Sequence, residues 1–177
     1  MPLISETLSA LKLIEISPSG PHVEQTVAEE LAASARSAPG IDRSPGLNAK
    51  ADGARIAVVT DTSLWKSVHP DLEKRSHWML ARKKDGAGVE ILASHEHLLY
   101  GLWTLLKDEW AGLDVSVLRE GKIAQPAFRA IRPVFDLFLT QTARTVRQFD
   151  REEHMRSLAR MGASHAEVNG LAFAVPF

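Results

Sequence analysis

A chain of 177 residues, 45% hydrophobic and 24% charged, is long enough for one full domain, or for a small domain and part of a second. Its formal net charge of −1 argues against a polyanion-binding surface, so nucleic acid is not an expected partner. The sequence has no cysteine, which excludes disulfides, thiolate metal sites and a thiol nucleophile and leaves the compartment open.

Residues 1–16 carry one early cation, Lys12, and their apolar positions are interrupted by Ser5, Glu6, Thr7 and Ser9. A signal peptide needs a basic start and an unbroken apolar run, so none is expected. No stretch is apolar enough to span a bilayer. The expectation is a soluble protein without a membrane partner, cytoplasmic by default. Residues 11–16 (LKLIEI) alternate as a short strand, stopped by Pro18, Gly20 and Pro21. Val23, Val27, Leu31 and Ala35 recur every four residues and predict a helix over 23–36. Residues 37–54 gather Pro, Gly, Ser, Asp and Asn without periodicity and predict a loop.

The run at 55–60 (RIAVVT) predicts a buried strand ending at Asp61. Residues 62–75 give no clear pattern beyond a helical turn around Leu64 and Trp65. Residues 77–82 and 89–93 flank Asp85-Gly86, a pair that favours a hairpin. Ser94 stands where a helix cap belongs, and Leu98, Leu99, Leu102, Trp103, Leu106 and Trp110 follow at spacings of three and four up to Gly112. Residues 113–118 (LDVSVL) alternate as a strand.

After Pro126 the pattern changes. An apolar strand is expected at 134–139. A helix follows, capped by Asp150 and Glu153, with Met155, Leu158 and Ala159 inward and Gly162 at its end. Residues 165–173 read as a further strand. Strand, helix and strand in this order make a βαβ unit, which crosses over right-handedly into a parallel pair. The chain therefore divides into an α+β part, 1–124, and the start of an α/β part, 125–177.

The segment 88–110 (GVEILASHEHLLYGLWTLLKDEW), with Leu99, Tyr100, Gly101, Thr104, Leu105 and Leu106, resembles the last strand and helix of the accessory domain preceding the barrel in several glycoside hydrolases. The family 20 β-N-acetylhexosaminidases and family 67 α-glucuronidases are the ones it is similar to. Pro126, Phe128 and Arg129 or Arg132 match the linker before the first barrel strand, and 156–170 is similar to the first barrel helix and second barrel strand. The sequence departs from both families in places: Arg144 is followed by Thr145, not histidine, and no His-Trp-Asp-Asn stretch is present. The resemblance implies a zincin-like α+β accessory domain, with a mixed sheet and two main helices, followed by the first β-α-β of a truncated (β/α)8 TIM barrel. In the full-length hydrolase of carbohydrate metabolism the partner would be a carbohydrate substrate. The alternative is a free-standing α+β interaction domain that oligomerises through its C-terminal βαβ tail.

Glycoside hydrolysis generally needs two carboxyl groups across the scissile bond, and barrel enzymes carry them at the carboxyl ends of their strands. A whole barrel takes about 250 residues, far more than follow Pro126, so this chain is expected to hold no catalytic pair and to be inactive alone. The substrate-binding candidates are Asp136, Arg144 and Asn169, with Glu167 a weaker one. Each has a bland alternative: Asp136 as a cap or bridge, Arg144 as a solvated loop residue, Asn169 as a turn former before Gly170. His95, Glu96 and His97 invite a metal reading, but a zincin site needs H-E-x-x-H, and position 99 is Leu. No metal or cofactor is expected, and the histidines read as surface or capping groups. Trp103 and Trp110 share a face with Leu99 and Leu106 and read as core. No phosphate loop or nucleophile elbow occurs. An unclosed parallel pair leaves open edges, so the tail after 130 should fold back on the first domain, pair between chains, or be poorly ordered.

Overall fold

Alternation of side chains along six strands builds a single mixed sheet in the computed structural model. It describes residues 3–17, 20, 22–35, 40–43, 53–58, 77–84, 88–102, 105–106, 110–126, 134–135, 150–165 and 167–168. In chain order the elements are α1 (Ile4–Ala10), β1 (Leu13–Ile16), α2 (His22–Ser34), β2 (Gly40–Asp42), β3 (Gly53–Val58), β4 (Met79–Lys83) and β5 (Val89–Ala93). There follow α3 (Glu96–Tyr100), a 3-10 helix (Val115–Glu120), β6 (Lys122–Ala124), β7 (Val134–Phe135), α4 (Arg151–Arg160) and β8 (Glu167–Val168). The lateral order is β2-β1-β3-β5-β4-β6, and β7 and β8 form a separate pair. Strands β2, β1, β3 and β5 run parallel, whereas β4 is antiparallel to both β5 and β6. The expected α+β class with a mixed sheet is thus observed.

One face of the sheet carries Ile14, Ile16, Ala54, Ile56, Met79, Ala81, Val89, Ile91 and Ala93. They share a core with Ile4 and Leu8 of α1, Val27 and Leu31 of α2, and Leu98 and Leu99 of α3. Each fully buried aliphatic side chain of this kind contributes about 1.5–3 kcal/mol, so this face dominates stability. The opposite face is divided. One row brings Glu15, Arg55, Glu90 and Arg82 side by side across β1, β3, β5 and β4. Beyond it Ala57, Leu80, Leu92 and Trp78 form a smaller apolar cluster with Ile123 of β6. The hairpin predicted from Asp85-Gly86 is present as β4 and β5. Next to it Gly88 passes so close to Gly53 that a methyl group on it would lie 2.0 Å from the Gly53 carbonyl oxygen.

Several local readings are corrected. Residues 4–10 form a helix not foreseen from the interrupted apolar pattern. Ile4 and Leu8 are buried four residues apart, and the Ile4 amide donates to the Leu113 carbonyl at 2.9 Å, so tertiary contacts hold a short helix that propensity would not. The loop expected over 37–54 contains β2, and β3 begins at Gly53. The strand expected over 113–118 is instead a 3-10 helix. Asp114 accepts from the Ser116 amide at 2.8 Å, which starts a turn. Val115 and Leu118 are then buried three apart while Val117 is exposed, the period of a 3-10 helix.

Ser94 does not cap α3. Its Oγ accepts from the Trp78 amide at 3.0 Å and its amide donates to the Trp78 carbonyl at 3.0 Å, lengthening the β4–β5 ladder. Of the long helix expected up to Gly112, the described residues show α3 at its start. The Leu105 amide keeps the helical bond to the Gly101 carbonyl at 3.2 Å, whereas the Trp110 amide reaches the Leu105 carbonyl five residues back at 2.6 Å. Trp110 is buried as expected. Trp103 and Trp65 lie outside the described residues. In α4 the expected Asp150 cap is present, accepting from the Glu153 amide at 3.0 Å. Gly162, at φ 85°, ends the helix through the paired Gly162-to-Ala159 and Ala163-to-Leu158 backbone bonds of a Schellman motif. Leu158 is buried as expected, but Met155 is exposed, because α4 meets the first unit along its Arg156 and Arg160 side.

Candidate functional site

Sheets with parallel strands present their ligand-facing groups beyond the carboxyl ends of those strands, above all where the chain changes direction across the sheet. Here that point lies between β1 and β3, because the chain leaves β1 for β2 on one side and returns as β3 on the other. Glu24, in the first turn of α2, is buried at this point, and its Oε1 accepts from the Val58 amide at 2.7 Å. Burial raises its carboxyl above the ordinary 4.5, while the Val58 and Ser17 amides oppose the rise. A lone buried acid braced between α2 and β3 suits a structural tie better than acid–base chemistry.

The charged row on the opposite face holds two further buried carboxylates. Glu90 accepts from Arg55 Nη1 at 3.3 Å and from Arg82 Nε at 2.5 Å, and Glu15 pairs with Lys84. A glycosidase pair needs carboxyls held apart across a bond, one of them able to give up a proton. Glu15 and Glu90 are instead each answered by cations inside the protein, which is cross-strand bracing. An apolar cavity of about 330 Å³ between α1, α2 and Leu106 is lined by Leu8, Leu31, Leu106, alanines and serines, with no acid or base.

Of the residues expected to contact sugar, Asp136, Arg144 and Asn169 all lie outside the described residues. The strands they would follow are described in part. β7 and β8 pair in parallel, Val134 with Glu167 and Phe135 with Val168, with α4 between them in sequence. The strand–helix–strand order and the parallel pairing expected after Pro126 are therefore present.

This second unit is seated on α2 by ion pairs. Glu30 accepts from Arg160 Nε and Nη2, both at 3.1 Å, and from Arg156 Nη1 at 3.3 Å. Arg160 also reaches Glu153 at 2.7 Å, and Arg156 reaches Glu152 at 2.8 Å. The hydrogen bonds that Arg160 donates, first to Glu30 and then to Glu153, hold its guanidinium well above its usual range. The groups line a polar cleft of about 440 Å³ between α2 and α4. Sequence reading missed this junction, since its partners are some 130 residues apart. The available signal was Arg156 and Arg160, four apart on one side of a capped helix.

A second cluster was also missed. The rings of His77, His95 and His97 gather with centroids 3.7 Å (77 to 95), 5.3 Å (77 to 97) and 5.9 Å (95 to 97) apart. Hairpin register explains it: Met79 faces Ala93, so two residues further out His77 faces His95. Among the described residues no group of three histidines or acids is arranged to hold a metal ion, and no helix is long and apolar enough to cross a membrane. Comparison with known proteins adds no relative: no family model, curated protein or solved structure matches the chain.

Proposed function

We propose that this chain is the supporting part of a carbohydrate-cleaving enzyme, an accessory unit that carries the opening of a (β/α)8 barrel and seats it through α2. The observation that carries the reading is the parallel β7–β8 pair with α4 between its strands, α4 being clasped to the first unit by Glu30. A parallel strand–helix–strand is the repeating piece of a barrel. The order from β1 to α3, with β2 added, is compatible with the strand, helix, three strands and helix that the resemblance of 88–110 implies. In this reading the described carboxylates brace the scaffold, the reacting acids belong to later strands, and Asp136, Arg144 and Asn169 line the sugar pocket near the first strands.

The test joins a sequence to an assay. The coding sequence beyond Phe177 is expected to continue with strand–helix repeats bearing an acidic pair. The continuous protein should turn over a chromogenic glycoside that residues 1–177 alone leave untouched. Turnover by the 177-residue chain, or a natural protein that stops at Phe177 and binds no barrel-bearing chain, would contradict the proposal. The rival reading, a free-standing interaction domain, draws on β7 and β8 forming a pair separate from the main sheet among the described residues, since a strand edge left unpaired accepts a second copy. It predicts concentration-dependent dimers in size-exclusion chromatography that disappear when 125–177 are removed.

A further inference from the structure

Three of the seven histidines gather from two separate stretches of chain, His77 before β4 and His95 and His97 around the start of α3, while His165, between α4 and β8, adds the smallest of the charge effects on His97. His77 and His95 stack at 3.7 Å with their planes 31° apart. His97, half-buried, completes the group. α3 packs against α4, and His165 is close enough to His97 to act on its charge. The cluster thus lies at α3, the element through which the six-stranded unit also meets α4.

Neutral imidazoles can stack at this separation, but imidazolium ions repel, and a partly dry setting strengthens that repulsion. We propose that this histidine cluster is a proton-operated joint, closed when its rings are neutral and loosened on protonation, which makes the seating of the second unit on the first dependent on pH near neutrality.

The surrounding charges favour this assignment. The groups acting on His97 are His77 from the lead into β4, His95 from its own turn and His165 from the α4–β8 connection. From α2, which also packs on α3, Glu24 is bonded to the Val58 amide and interacts with Glu96. α4 carries His154, with a buried Nε2, and Arg156 and Arg160, which are committed to Glu30. Burial first, then the neighbouring histidines, hold His97 below the ordinary 6.5. The closed joint therefore binds fewer protons than the open one. Its contribution is complete above about pH 6.5, the ordinary histidine value, and is lost as pH falls below that value.

The test is amide hydrogen exchange on the whole 177-residue chain, corrected for intrinsic rates, at pH 7.5 and pH 5.5, the lower value staying above the ordinary carboxylate range. The opening equilibrium of 96–100 and 151–160 should rise several-fold on acidification while β3 and β5 hold. His97→Gln should remove most of that rise. His165→Gln, at an exposed position that folding tolerates, should reduce it, and NMR should find the His97 ring titrating below 6.5. Equal pH dependence in the wild-type chain and in His165→Gln, or a His97 ring titrating at or above 6.5, would overturn the proposal.

Discussion

In the first 124 residues, side chains from β1, β3, β4 and β5 and from all three packed helices share one apolar core. In α4 Leu158 is the buried hydrophobic residue among those whose side chains are described, and the described joint to α2 is made of Glu30 with Arg156 and Arg160. Apolar burial is not weakened by screening salt, and mild acid leaves it unchanged because it carries no titrating group. Ion pairs are screened over about 8 Å at physiological ionic strength, and histidines titrate near neutrality. The described contacts thus contrast a scaffold held by exclusion of water with an α4–α2 joint held by charge. The second can come loose while the first stays folded.

The largest effect should come from the core. Leu99 has no exposed surface, and Leu99→Ala should cost about 2–5 kcal/mol, lowering the midpoint of global thermal unfolding by roughly 2–4 °C for each kcal/mol. Leu158→Ala is expected to leave that midpoint nearly unchanged and to raise exchange only in 151–160. Equal global losses for both variants would break the distinction between the regions.

Next comes the clasp. Glu30→Ala removes the acceptor shared by two arginines, but their side chains are 36% and 37% exposed, so water screens the pairs and about 1 kcal/mol is expected. The loss should appear as faster exchange in α4 and should shrink in 1 M salt. Smaller and wholly local are the ends of α4. Asp150→Ala should destabilise that helix by about 1 kcal/mol, read as increased exchange in its first turn.

Glu24 sharpens the comparison from the other side, because its charge lies inside the scaffold. Its folded carboxyl is raised above 4.5, so the folded state holds the proton more tightly than the unfolded one. The neutral form favours folding at low pH, and stability from this group is lost as pH rises from about 4.5 upward. Glu24→Gln, which keeps an oxygen for the Val58 amide, should be at least as stable as wild type at pH 7.5 and should flatten the pH dependence above 4.5. Chemical denaturation at the two pH values measures this.

What the sequence made legible was what neighbouring residues decide. The stripe of Val23, Val27 and Leu31 marks α2, Asp85-Gly86 marks the β4–β5 hairpin, and Asp150 and Gly162 mark the ends of α4, each by a rule acting within a few residues. Helix α1 was hidden because its hold is the Leu113 carbonyl, far along the chain. The 3-10 helix was hidden because the Asp114 side chain, bonding the Ser116 amide, overrides an alternation that reads as a strand. The junction of Glu30 with Arg156 and Arg160 joins distant segments, and no local spacing reveals which carboxylate two arginines will choose. The His77–His95 contact was within reach, since the hairpin register fixes it once both strands are placed. Asp136, Arg144 and Asn169 rest on the resemblance alone.

Native-state hydrogen exchange at low salt and in 1 M sodium chloride, where the screening length falls to about 3 Å, tests the difference between the two regions most directly. Amides of β3 and β5 should exchange only through global unfolding at either salt, while those of 151–160 should open at a lower free energy that falls further in high salt. A single opening free energy for both regions, unmoved by salt, would contradict the account.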